Sequence, residues 1–312
     1  MKKKKNIKKI LLIIILLLFL TTGCTKSLTD KNNKAVKNAI TGQTLTKNII
    51  CKPTNKKSIE LYKKYNVKIE KLPECKNFKI TSGKYEGLWT SIFVKPLSFI
   101  LIQVGRKVGN YGISVILISI LIRLIAYPIT KKTAVQSEKM KEIQPQLTKI
   151  QKKYESKQDK ESLLKQNQEM MALYKKYDLN PMSGCLFAFL QLPIFIAFFE
   201  AIQRTPVIFE DKILGLHLGT TPSIGITSAT FYSYIILIVL VGLTTYLSFK
   251  LNQTANMQDP NMKMMPLVTT TMIVVTGIFM PTGLGIYWVT SNIFTIFQNK
   301  IVKRSMDSNG KA

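Results

Sequence analysis

Long apolar runs separated by lysine-rich stretches set the pattern of this chain. Residues 111–130, YGISVILISILIRLIAYPIT, hold a single charge, Arg123. At about 1.5 Å of rise per residue the run reaches roughly 30 Å, the thickness of a hydrocarbon core, and predicts a transmembrane helix. Further runs predict spans over 183–203, 229–249, 265–280 and 283–298, giving five in all; the last two are short and suit a locally thinned bilayer. Between the first two spans, residues 131–180 carry 12 lysines and seven acids. Ile143, Leu147, Ile150 and Tyr154 follow a 4-3-4 spacing, and Leu164, Met171 and Tyr174 continue the stripe beyond the polar break ESKQDK. This predicts two helices folded back as an antiparallel hairpin.

The first residues have six lysines, then the eleven apolar residues 10–20, then Thr21, Thr22, Gly23 and Cys24. A charged start, a short apolar stretch and small residues predict a signal peptide over 1–23. Cysteine directly after Gly23 is similar to a bacterial lipobox, which makes Cys24 the expected lipidated N-terminus. Residues 24–87 are polar and lysine-rich and are expected to form a poorly ordered extracellular tether, in which Cys51 and Cys75 either pair or stay free thiols. Residues 88–108 mix Trp89, Phe93, Leu97, Ile100 and Leu101 with Lys95, Arg106 and Lys107, and Pro96 interrupts them. An interfacial amphipathic helix fits this better than a span.

Composition then fixes sidedness. The net charge is +28, from 45 lysines and arginines against 17 acids, and the excess flanks the apolar runs as in a polytopic protein beside anionic lipid. The loop 204–228 has only Arg204 and Lys212 as strong cations. The hairpin is therefore predicted inside, this loop outside, the 281–283 turn outside and the tail 301–312 inside. RNA of the ribosome is a second polyanion that such charge could meet. One histidine, His217, and four scattered cysteines give no metal-ligand spacing, so no metal or cofactor is expected. No phosphate loop, H-E-x-x-H or G-x-S-x-G occurs, and the five spans hold no lysine for a Ser/Lys dyad; an enzyme is not expected.

Arg123 is the candidate functional residue, because a guanidinium in hydrocarbon costs on the order of 3 kcal/mol or more. It lies eight residues before Lys131, about 12 Å at helical rise, which is further than an arginine comfortably snorkels. Six to eight residues from the inner end of the other spans lie Gln191, Gly242 with Thr244, Thr271, and Thr290 with Asn292. These groups occupy one predicted depth. Glu200, the only carboxylate in the spans, falls near the outer edge, away from Arg123. A hydrated cavity open to the cytosol accommodates such a layer. Met257, Met262, Met264 and Met265 could offer an adaptable apolar surface beside it.

Three stretches carry a family resemblance. NPMSGCLFAFLQLPIFIAFFEAI from Asn180, PTGLGIYWVTSNIFTIFQ from Pro281 and the arginine of LIRLIAYP resemble the signatures of the YidC/Oxa/Alb membrane protein insertases, over about residue 88 to the end. The lipobox and five spans match the Gram-positive lipoprotein type. The resemblance implies an all-α polytopic core over 109–300. Five helices enclose a hydrophilic groove, with a cytosolic hairpin over 131–180 and an external amphipathic helix. It implies an ATP-independent insertase and chaperone in the bacterial plasma membrane, with its lipidated N-terminus outside and its C-terminus in the cytosol. Arg123 matches the groove arginine, and Gln191 and Trp288 look like groove-facing positions beside Thr244, Thr271 and Asn292. Nascent membrane proteins are the implied clients, with the general secretion translocase, the ribosome and anionic lipids as further partners. The alternative is a small-anion transporter or channel that binds its ion at Arg123; it lacks the internal repeat usual in transporters.

Overall fold

Each of the apolar runs that predict a span is helical in the structure, a computed structural model that describes residues 25–38, 41–156, 159–180, 183–251 and 260–309. The expected signal peptide, Cys24 and Met257 lie outside these residues. The main helices are α1 (Lys56–Lys64), α2 (Lys95–Val108), α3 (Tyr111–Glu142), α4 (Gln144–Tyr154), α5 (Lys160–Lys176), α6 (Ser183–Arg204), α7 (Phe231–Leu251), α8 (Pro260–Ile278) and α9 (Thr282–Asn309). A two-stranded antiparallel ribbon, β1 (Lys212–Ile213) and β2 (Leu216–His217), is the only sheet among the described residues. Among those residues α3 and α7 are long and apolar enough to cross a membrane, and Met264–Ile278 is a shorter apolar helix. Large apolar side chains stay exposed along these helices, including Leu121, Leu124 and Ile125 on α3, Ile236, Val239 and Leu243 on α7, and Val268, Met272 and Phe279 on α8 or just beyond its end. Continuous apolar surface of this kind marks a membrane or partner interface.

The chain divides into two compact units. One holds the residues up to Ile118 with Ile194–Leu237 and Ile278–Tyr287; the other holds Ser119–Pro193, Ile238–Gly277 and the residues from Trp288.

In the first unit, the segment expected to be a poorly ordered tether is folded. Leu28, Val36, Leu45, Ile49, Tyr62 and Ile69 pack with Phe209, and a disulfide joins Cys51 to Cys75 beside Ile50, Phe78 and Ile102. Isolated bridges such as Ser27 with Thr46 and Lys37 with Thr44, together with loops, supply most of this core, so the sequence shows no periodicity. Helix α1 starts where the Asn55 side chain accepts the N–H groups of Lys57 and Ser58. Glu210 Oε2 then accepts from Thr54 and Asn55, at 2.9–3.2 Å. After a π turn over Thr90–Val94, α2 buries Leu97, Leu101 and Ile102 and stops at Gly109, whose φ of 74° is left-handed and suits glycine.

Lys95 is not a solvated charge on the amphipathic helix. It is buried, and its Nζ donates to the carbonyls of Ser82 at 2.6 Å and Lys84 at 3.2 Å. Burial pulls its pKa below the usual lysine range.

In the second unit α3 runs past the predicted end of the span at Thr130 and reaches Glu142. Pro145, near the start of α4, fits the first turn of a helix, where its missing N–H costs nothing. Met140, Ile143, Leu147 and Leu179 form the hairpin core with Met170, Leu173, Tyr174 and Tyr177. Pairing is antiparallel: Gln146 Nε2 donates to Tyr177 Oη at 2.8 Å, while Lys153 Nζ and Tyr154 Oη reach Glu169 at 2.6 and 2.9 Å. The predicted stripe holds on α4 but is shifted on α5, where Leu164 and Met171 are exposed. Positions 170, 173, 174 and 177 keep one helical face inward at 3.6 residues per turn, which 164 and 171 do not share with them.

Candidate functional site: a buried arginine on a proline-containing helix

Arg123 lies in the second unit, 7% exposed, on the apolar part of α3. Its Nη2 donates to Gln191 Oε1 at 2.7 Å. The bond is charge-assisted and ties α3 to α6 within the unit. Both helices carry an internal proline close to this pair, Pro128 and Pro193. A proline has no N–H, so the carbonyls four residues earlier, on Leu124 and Phe189, lose their usual helical donor. Each helix thus has a carbonyl without its usual helical donor within two positions in sequence of Arg123 or Gln191.

A second cluster centres on Thr245. Its Oγ1 accepts from Trp288 Nε1 at 2.9 Å and from Asn292 Nδ2 at 3.0 Å, joining α7 to α9. Trp288 and Asn292 are one helical turn apart, so both can reach one acceptor. Thr130 Oγ1 donates to Gln298 Oε1 at 3.0 Å and connects α3 to α9 in the same unit. Thr270 Oγ1 and Ser291 Oγ are buried and have no hydrogen-bond partner among the described residues. Both are polar groups that the second unit leaves buried and unsatisfied.

Of the residues predicted at one depth, the structure joins Arg123 to Gln191; Asn292 is joined through Thr245 to Trp288, a position that the family resemblance supplied. Thr244 is buried with its hydroxyl turned back to the Leu240 carbonyl at 2.7 Å. Thr271 is exposed on α8. Gly242 serves helix approach, since a Cβ there would stand 3.3 Å from Val274 Cγ2. Counting residues from a span's end gives depth but not direction, and neighbours on a helix point about 100° apart. That is why counting selects Thr244 and passes over Thr245.

The first unit contains a polar constellation that sequence reading also misses. Arg204, fully buried, donates through Nη2 to Glu86 at 2.6 Å and through Nη1 to Glu200 at 3.4 Å, and its Nε donates to the Asn48 carbonyl at 2.9 Å. Trp89 Nε1 donates to the other Glu200 oxygen at 3.0 Å. The i, i+4 spacing of Glu200 and Arg204 is the one signal the sequence offers for it. Among the described residues no group of three or more His, Cys, Asp and Glu side chains is placed to hold a metal ion.

Comparison with known proteins places the sequence in a family. Residues 103–309 match the family described as 60Kd inner membrane protein. The membrane protein insertase YidC of Oceanobacillus iheyensis is 38% identical over 229 residues, 71% of this chain and 86% of that protein. The membrane protein insertase MisCA of Bacillus subtilis is 38% identical over 217 residues, 69% of this chain and 79% of that protein. A crystal structure of an active YidC insertase, at 23% identity, matches with a TM-score of 0.49 over 77% of this chain and 52% of that one, so the chain spans about half the length of that protein. By the matched span and the identity to these relatives, the chain belongs to the 60Kd inner membrane protein family, that of the YidC insertases.

Proposed function

We propose that this protein is a membrane protein insertase and chaperone, and that Arg123 receives the polar tail of a client in a hydrophilic groove. The observation that carries the reading is the buried Arg123 bonded to Gln191 within an apolar helix, in a family whose matched members are named insertases. Apolar surface exposed on α3, α7 and α8 is what a bilayer would cover. In this reading the protein has five spans, a hairpin and C-terminus in the cytosol, and an N-terminus outside, lipidated at Cys24. Gln191, Trp288, Asn292, Thr244 and Thr271 complete the groove, joined by Thr245.

The energetics need no nucleotide. A hydrated groove shortens the path over which a polar tail is desolvated. Arg123 attracts an acidic tail. The client's apolar span then leaves for lipid, gaining on the order of 10 kcal/mol for about twenty leucine-like residues at the insertion scale's few tenths per residue. Nascent membrane proteins are the clients; the secretion translocase, the ribosome and anionic lipids are further partners on this proposal.

The test is complementation of an insertase-depleted bacterium together with protease accessibility of a small single-span client. Wild type rescues, Arg123→Ala loses clients with acidic tails and Arg123→Lys keeps much of their insertion. Equal failure of both substitutions would remove charge attraction from the mechanism. Failure of the wild type to rescue would overturn the insertase and favour an anion transporter.

A further inference from the structure

Residues 25–86 hold 15 lysines against five carboxylates, Asp30, Glu60, Glu70, Glu74 and Glu86. All the lysines except the half-buried Lys52 are exposed, and the ion pair that the structure gives them is Lys76 with Glu74. This charge is not a property of a loose tail, because the segment is folded around its own core and the Cys51–Cys75 disulfide.

Helix α1 shows how the charge is presented. Ser58 and Tyr62 face inward. Lys56 and Lys63 are seven residues apart, as are Lys57 and Lys64, so the four amines share the opposite face with Glu60. Lys68 and Lys71 continue the exposed run. At the other end of the segment the buried Lys95 holds the turn over 82–84 to the start of α2. Exposed Lys79 and Lys84 are close in sequence to the exposed apolar side chains of Tyr85, Leu88, Ile92 and Phe93. Cations beside exposed apolar and aromatic groups are the composition of a surface that lies on an anionic membrane.

We propose that this folded lysine-rich segment is a docking surface for anionic phospholipid headgroups, with the α1 lysines as its cationic face and 85–93 as its apolar edge. A soluble polyanion would satisfy the lysines but would give no use to the apolar edge. A chain anchored in the bilayer also holds this surface near headgroups at high effective concentration. The proposal rests on the membrane placement given under Proposed function but not on sidedness, since a bilayer disc presents both faces.

Purified full-length protein in lipid nanodiscs, with and without phosphatidylglycerol in a phosphatidylcholine bilayer, supplies the test. A water-soluble acylating reagent is followed by mass spectrometry at Lys56, Lys57, Lys63 and Lys64, with Lys160 and Lys165 of the hairpin as references. Anionic lipid should slow acylation of the four about fivefold relative to the references. The slowing should vanish at about 1 M salt, where the screening length is about 3 Å. Replacing the four lysines by glutamine should also release Lys68 and Lys71 from protection. Equal rates in the two bilayers would overturn the proposal. So would protection by long-chain polyphosphate added to phosphatidylcholine discs without any effect of phosphatidylglycerol, which would make the ligand a soluble polymer. Client insertion is measured on the same preparations. Its loss with protection intact counts against the insertase reading alone.

Discussion

Replacing Arg204 by methionine should destabilise the first unit by about 4 kcal/mol. Arg204 has no exposed side-chain surface, and its partner Glu200 is 2% exposed. Removing one member of a buried ion pair costs about 3–5 kcal/mol because the remaining charge has lost its compensation. Glu86 is 35% exposed and can be solvated by water, so most of that cost comes from Glu200. Loss of the donor to the Asn48 carbonyl adds about 1 kcal/mol, and the methionine stem returns part of the lost packing. In a Trp288→Phe background Trp89 is the sole tryptophan, and its Nε1 bond to Glu200 makes its emission a local reporter. Chemical unfolding in detergent, followed by that emission, would give the shift. The double variant Arg204→Met with Glu200→Gln should recover about 1–3 kcal/mol, since no buried charge is then stranded. A single-variant cost under about 1 kcal/mol, or a double variant as damaged as the sum of both changes, would refute the reasoning.

Three other outcomes follow from the geometry. Reducing the Cys51–Cys75 disulfide, which spans 24 residues of sequence, should loosen residues 25–86 by about 3 kcal/mol, seen as faster amide exchange there and little change in α4 and α5. Thr245→Val removes the shared acceptor of Trp288 and Asn292 and should cost about 1–3 kcal/mol and shift Trp288 emission in a Trp89→Phe background, while Thr245→Ser should restore both. Glu169 has its pKa held below the usual carboxylate value, first by the Lys153 hydrogen bond and then by Tyr154. Its contribution to hairpin pairing is therefore complete above the ordinary carboxylate pKa and is lost as pH falls through the depressed one. Amide protection factors in α4 and α5, exchange rates corrected for their intrinsic pH dependence, should fall on acidification below about pH 4, and Glu169→Gln should reduce that fall, leaving the share of Asp159, whose carboxylate caps α5 and is also held below its usual pKa.

The helices at the apolar runs and the hairpin partners on α4 were readable in the sequence because each rests on a period that local chain geometry enforces. Gly109 and Asn55 mark element ends by chemistry equally local. The folded 25–86 segment was not readable. Its core draws Leu28, Tyr62 and Phe209 from far apart in the chain, and no window contains enough of them to show a pattern. The burial of Lys95 was hidden for a related reason, as its acceptors are carbonyls more than ten residues away. Within the site the depth of Arg123 follows from counting, while its bond to Gln191 depends on how α3 and α6 are rotated, which counting does not determine.

The continuity of α3 has a mechanical consequence. Nineteen residues separate Arg123 from Glu142, about 28 Å of helix at 1.5 Å per residue, with no loop between them. A load applied to the hairpin therefore arrives at the guanidinium as bending and rotation of a stiff rod, where slack loop would have absorbed it. Pro128 is the weak joint of that rod, and it lies five positions from Arg123. A tug at Glu142 is therefore divided between flexing at Pro128 and tilting the arginine.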